Sequence, residues 1–329
     1  MYPMVNVTPA GTTYITTYIS NSLNGTASPE EETNLVLSIF HKIIIVVQIL
    51  VFLLGTTGNG LVIFFTSFRM KRTVNVVWYL NLAISDFIFT LFLLFRIVRL
   101  ALNRWPFGWF MCKLDGAIVN INLHASLFLI TVISIDRLIC IKFPVWCRNH
   151  RTPRLAFIVV LVLWILAFVF SLPHAILKDL DEKNKFVVCK CTKSKILSQR
   201  FFIITRLIFG FIFPLIVIVS CYTLILLHIQ RNYRTMSRKP LKMIAAVIIV
   251  YVICWAPYHV SSLLQLSFKY ESKDFKDKVD VGKRFFKSLA TVNSCINPVL
   301  YVFVGRDFKE TFWNSIQSIF EKAFVEESE

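Results

Sequence analysis

Cys112–Arg137 reads CKLDGAIVNINLHASLFLITVISIDR. As a helix rising about 1.5 Å per residue it is roughly 38 Å long, enough to cross a bilayer core with both ends among headgroups. One end carries a thiol that can be oxidised, the other an acid beside a base, Asp136-Arg137. Between them Asn120, Asn122, His124 and Ser126 interrupt an apolar run. A helix that only held a protein in lipid would not carry four such groups, since each needs a partner away from water. The stretch reads as a central helix wired to both faces of a membrane.

Composition points the same way. Of 329 residues 56% are hydrophobic and 31 are Phe, which marks a polytopic membrane protein. A net charge of +17 on such a chain speaks for topology and acidic partners, not nucleic acid. Apolar runs long enough to span cover 41–68, 75–102, 110–141, 155–177, 201–229, 241–268 and 284–304, seven in all. No basic region with a small-residue cleavage site precedes the first, which is therefore expected to act as its own targeting signal.

Three alternate short loops are basic: Arg69, Lys71 and Arg72; Lys142, Arg148, Arg151 and Arg154; and Arg231, Arg234, Arg238, Lys239 and Lys242. They hold no acid beyond Asp136 at its helix end, which places them in the cytoplasm. The N-terminus then lies outside and the C-terminus inside. The tail 1–38 agrees, with sequons at Asn6 and Asn24. The loop thiols agree too: an oxidising exterior would pair Cys112 with Cys189 or Cys191. Cys140, Cys147, Cys221, Cys254 and Cys295 are expected as free thiols in or beside the spans. Segment 305–329 follows the bundle. Within it, 306–321 spaces Phe308, Phe312, Ile316 and Phe320 as an amphipathic helix on the inner leaflet.

Asp86 sits mid-span, where a carboxylate costs about 2.5–3.5 kcal/mol, so something must face it. Asn122 and Ser126 share a face of the third span, and Asn293, Ser294 and Asn297 a face of the seventh. One acid among amides and hydroxyls is an oxygen-rich nest suited to sodium. Helix rise places Arg96, Arg99, Arg206, Arg284 and Lys287 in the outer half of the bundle. With no acid expected at that level to pair Arg96 or Arg206, they make an outward-open basic cavity for an anionic ligand. Pro173, Pro214, Pro257 and Pro298 mark where spans can bend.

One signature per span recurs in order: Asn59; Leu82, Ala83 and Asp86; Cys112 with Asp136-Arg137; Trp164; Pro214 with Tyr222; Cys254-Trp255-Ala256-Pro257; and Asn297-Pro298-Val299-Leu300-Tyr301. From Gly58 to Phe308 the chain resembles the rhodopsin-like G protein-coupled receptors. RMKRTVNVVWYLNLAISDF, PVWCRNHRTPRLA, CWAPYH and NSCINPVLYVFVGRDF are similar to the chemoattractant group, notably chemerin, formyl peptide and resolvin receptors.

The resemblance implies an all-α bundle of seven transmembrane helices with a short amphipathic eighth, in the plasma membrane, and no enzyme activity. It implies an allosteric sodium ion at Asp86, Asn122, Ser126, Asn293, Ser294 and Asn297. It implies a peptide or lipid ligand whose carboxylate meets Arg206, with Arg96, Arg99, Asn120, Tyr258, His259, Arg284 and Lys287 around it. Trp255 and Pro257 would switch, Tyr222 and Tyr301 rearrange with Arg137 when a G protein of the inhibitory class docks, and Asp136-Arg137 lock the inactive state. The third position of that motif is Leu138, a departure. The few tail hydroxyls, chiefly Thr311, Ser315, Ser318 and Ser328, argue against arrestin recruitment. A non-signalling decoy of the same fold is the alternative. A transporter would show internal repeats, and the chain has none.

Overall fold

The computed structural model describes residues 29–183, 186–191, 196–232, 239–267, 273–304 and 313. Asn6, Asn24 and, apart from residue 313, the segment expected as an eighth helix lie outside them. In chain order the elements are α1 (Pro29–Phe68), α2 (Val74–Leu102), α3 (Gly108–Lys142), α4 (Pro144–His150), α5 (Pro153–Leu177), β1 (Lys178–Lys183), β2 (Phe186–Cys191), α6 (Ile196–Leu207), a π turn (Ile208–Ile212), α7 (Phe213–Asn232), α8 (Lys239–Ser267), α9 (Lys273–Thr291) and α10 (Asn293–Val304). Among the described residues five stretches are long and apolar enough to cross a membrane: Leu35–Phe68, Val74–Leu102, Gly108–Lys142, Pro153–Leu177 and Arg200–Arg231. With α8 and the α9–α10 pair they make a seven-helix bundle.

The bundle is organised around α3. Of its most apolar stretch 67% is buried, against 44% for α2, 22% for α5 and 17% for α1. It packs on α2, α5, α7 and β1, while α1 and α2, α7 and α8, α8 and α9, and α1 and α10 close the ring. Helix starts at the Arg137 end of the bundle are written locally. Thr73 accepts a hydrogen bond from the Val76 N–H at 3.4 Å and Thr152 one from Leu155 at 3.3 Å, and Pro153 opens α5. At the other end α2 stops on Asn103, whose φ of 50° is a left-handed cap that Asn tolerates.

Each proline inside a helix leaves the carbonyl four residues back without its usual donor. Pro298 frees the Ser294 carbonyl, and the Asn59 amide takes it at 2.9 Å. Pro214, just after the π turn, frees the Gly210 carbonyl, and the Tyr251 hydroxyl takes it at 3.0 Å. Both repairs join non-adjacent segments, α1 to α10 and α8 to the π turn, so the bends are cross-linked as well as satisfied.

Two expectations are corrected here. The seventh span is not one helix: it breaks at Val292, where the Cys295 N–H donates to the Val292 carbonyl at 3.1 Å. The segment after α5 adds a hairpin to the bundle, with Lys178 opposite Cys191 and Lys183 opposite Phe186. Cys140 and Cys147 are not free thiols but are joined, with Cα atoms 5.1 Å apart. Pro144 ends α3 and starts the short α4, whose turn carries Cys147 back to Cys140. Cys221, Cys254 and Cys295 are free, as expected.

Candidate ligand cavity and the polar core beneath it

Between α2, α3, α6, α8 and α9 lies a narrow cavity. Arg96, Arg206, Tyr258 and Lys287 line it, its base includes Trp255 and Asn122, and Phe89 and Val119 supply apolar wall. Sequence depth thus brings three of five expected cations to one space. Arg99 stands half-buried one turn along α2, and Arg284 is exposed. Asn120 and His259 are buried outside the lining: Asn120 donates to the Gly116 carbonyl at 2.8 Å, and His259 packs against Phe211 with ring centroids 4.9 Å apart.

Arg206 donates to the Tyr258 hydroxyl at 2.9 Å, and its guanidinium carbon lies 4.7 Å from that ring's centroid. Its Nε is buried without a partner among the described residues. Arg96 corrects the expectation of an unpaired cation. Its Nε meets the Asp115 carboxylate at 2.7 Å, and Lys178 bonds the other oxygen of the same acid. Burial pushes the Lys178 ammonium below its ordinary range, with Asp115 opposing. Asp115 and Lys178 were not among the sequence candidates. Asp115 nevertheless stands on the opening helix one turn below Cys112, a position from which an acid can reach α2. Cys112 itself is bonded to Cys189, which resolves the choice between Cys189 and Cys191.

Below the cavity the polar residues converge as their spacing implied. Asp86 is wholly buried and accepts from Asn122 at 2.8 Å, Ser126 at 3.2 Å and Asn297 at 2.7 Å. Ser294 donates to the Asn122 side-chain Oδ1 at 3.4 Å and closes the set. Asn293 is buried at the start of α10, with no hydrogen bond to this cluster among the described residues. A carboxylate, hydroxyls and amide oxygens gathered at one point are hard donors of the kind that suit a small cation. His124, by contrast, is a packing residue: its Nδ1 bonds the Asn120 carbonyl at 2.8 Å and its ring stacks on Phe170.

At the other end of α3, Asp136 and Arg137 turn to different partners. Asp136 takes a two-pronged bond from Arg151, at 2.8 and 2.9 Å. Arg137 donates to Asn75 at 2.9 Å and Tyr79 at 3.4 Å, and Arg151 shares the Asn75 oxygen at 2.6 Å. Asp136 is thus held by the loop that follows α4, and Arg137 by α2. Trp255 packs with Leu123, Leu127 and Tyr251, and Tyr222 against the α2–α3 core. Pro257 lies inside α8. Tyr301 falls in α10, its side chain outside the described residues.

Residues 58–301 match the family model described as 7 transmembrane receptor (rhodopsin family). The chain belongs to that family. It is 40% identical to N-formyl peptide receptor 3 of Pongo pygmaeus, over 91% of this chain and 89% of that protein. It is 36% identical to chemerin-like receptor 1 of Rattus norvegicus, over 85% and 80%. With the C3a anaphylatoxin chemotactic receptor of Danio rerio it shares 40%, over 90% and 81%. Within the family it is a chemoattractant-type receptor, a multi-pass membrane protein and not an enzyme. Membership implies an extracellular ligand and a heterotrimeric G protein as partners.

Proposed function

We propose that this receptor answers an extracellular peptide or lipid that presents a carboxylate to Arg206, and that it signals through an inhibitory G protein. The observation that carries the reading is the cavity that holds Arg206, Lys287 and Arg96 directly above Trp255. An anion drawn to those cations settles on the Trp255 side of α8, near the Tyr251 bond to the π turn. The ligand favours the state in which α8 swings at Pro257, a shift of population without chemistry. In this reading the basic loops, Arg137 and Arg151 face the cytoplasm, and the N-terminus and the β1–β2 hairpin face outside.

Sodium at Asp86 acts against that swing in the same reading. Asp86, Asn122, Ser126, Ser294 and Asn297 would hold the ion, which supplies a positive charge tying α2, α3 and α10 together. Asn293 stands nearby on α10.

Two measurements test this. Arg206→Ala should abolish inhibition of cAMP by a carboxylate agonist, found by screening chemotactic peptides and lipid mediators, while surface expression persists. Unchanged potency would remove Arg206 from the ligand. Asp86→Asn should remove the effect of sodium on agonist affinity, and persistence of a sodium effect would place the ion elsewhere.

A further inference from the structure

Asp115 is 2% exposed, and two cations close on it from different elements, Arg96 of α2 and Lys178 of β1. The lysine stem reaches it across Gly116, where a Cβ would lie 2.7 Å from the Lys178 Cδ and 3.4 Å from the His174 carbonyl. Any side chain at 116 would push that stem aside. The groove, the two cations and the acid form a constructed arrangement around a carboxylate just behind the cavity wall. Arg96 belongs both to this trio and to the wall. Arg206 and Lys287, also in the wall, have no acid partner among the described residues.

We infer that Asp115 is a specificity-determining residue, the counter-charge that sets how much negative charge the cavity accepts. It occupies the Arg96 Nε in place while the trio keeps one net positive charge, so the attraction for an anion is strongest at Arg206 and Lys287. One carboxylate can be shared between those two. A second would be driven toward Arg96, where it meets the negative charge of Asp115 in a site poor in water. The cavity therefore takes a ligand end bearing one carboxylate and discriminates against one bearing two. This deepens the carboxylate reading above and rests on it.

Matched probes separate the possibilities: N-dodecanoylglycine with one carboxylate, N-dodecanoylaspartate with two at the same end, and N-dodecanoylglycinamide with none. Binding is read on the purified full-length receptor in lipid nanodiscs, from the concentration dependence of the thermal unfolding midpoint. The wild type should bind the glycine probe more tightly than the aspartate probe. Asp115→Asn should reverse that order, with the aspartate probe gaining about tenfold. Because this change strands two buried cations, D115N/K178M serves in its place should the single variant not fold. It removes one acid and one cation, so the trio keeps its net charge of two cations less one acid, and it still leaves Arg96 unopposed. Asp115→Glu should restore the wild-type order.

If the glycine probe binds and depends on Arg206, yet freeing Arg96 leaves the order unchanged, the role of Asp115 is overturned and the carboxylate reading stands. If the glycine and glycinamide probes bind the wild type equally, the carboxylate reading itself fails, and the role of Asp115 with it.

Discussion

The two ends of α3 are fastened by the same kinds of device with different reach. At one end the Cys112–Cys189 bond closes a separation of 77 residues, and Asp115 pairs with Arg96 and Lys178. At the other the Cys140–Cys147 bond closes 7, and Asp136 pairs with Arg151. The side chain of Asp115 is 3% exposed and that of Asp136 13%. Loop-closure entropy makes the long link worth roughly 4–5 kcal/mol and the short one about 2 kcal/mol. In the orientation proposed, the long link also faces an oxidising exterior and the short one a reducing interior. One end is built to stay, the other to let go.

Cutting the long link should therefore have the largest effect. Cys112→Ser should remove most receptor from the cell surface, read by antibody staining of an N-terminal tag. Near-normal surface levels would mean that the Asp115 trio holds the hairpin unaided. Next in size is the acid pair at the releasable end. Arg151→Ala and Asp136→Asn remove the same bond, worth up to about 1 kcal/mol, so each should raise ligand-independent nucleotide exchange on purified G protein about three- to fivefold. A rise with Asp136→Asn alone would show that Arg151 is not the restraint. Smallest is Cys147→Ser, expected to leave surface levels unchanged and basal exchange within about twofold. A larger rise would make the short link as important as the ion pair, and the contrast between the ends would fall.

What could be read from the chain was mostly depth. Helix rise converts residue number into height, so Asp86 could be set level with Asn122 and Asn297, and Arg96 with Arg206 and Lys287. Which way each residue faces around its helix also depends on packing: spacing found the shared face of Asn122 and Ser126 but missed the meeting of Asp115 with Arg96. Asp115 stands seven residues above Asn122, about 10 Å, and Arg96 ten above Asp86, about 15 Å. An arginine side chain covers that difference, so the height of the pair was legible although its facing was not. Cys140 and Cys147 would lie about 10 Å apart on a continuous helix, too far for a bond. Pro144 between them was the visible sign that the helix ends. The carbonyls freed by Pro214 and Pro298 were likewise implied, but that Tyr251 and Asn59 would claim them depends on neighbours that only the folded bundle supplies.

The π turn at Ile208–Ile212 works as a phase correction. An α-helix advances about 100° per residue, so the nineteen steps from Arg206 to Ile225 would leave the two facing about 100° apart. A π turn absorbs one extra residue, which brings the count back to five whole turns. Arg206 can thus face the cavity while Ile218, Cys221 and Ile225 are buried in the bundle below. The fifth span behaves as two rotors set on one shaft with a fixed offset. Deleting one residue between 208 and 212 should let the turn close as ordinary α-helix with both halves facing as before, whereas inserting one should turn the cavity half away from the half below it.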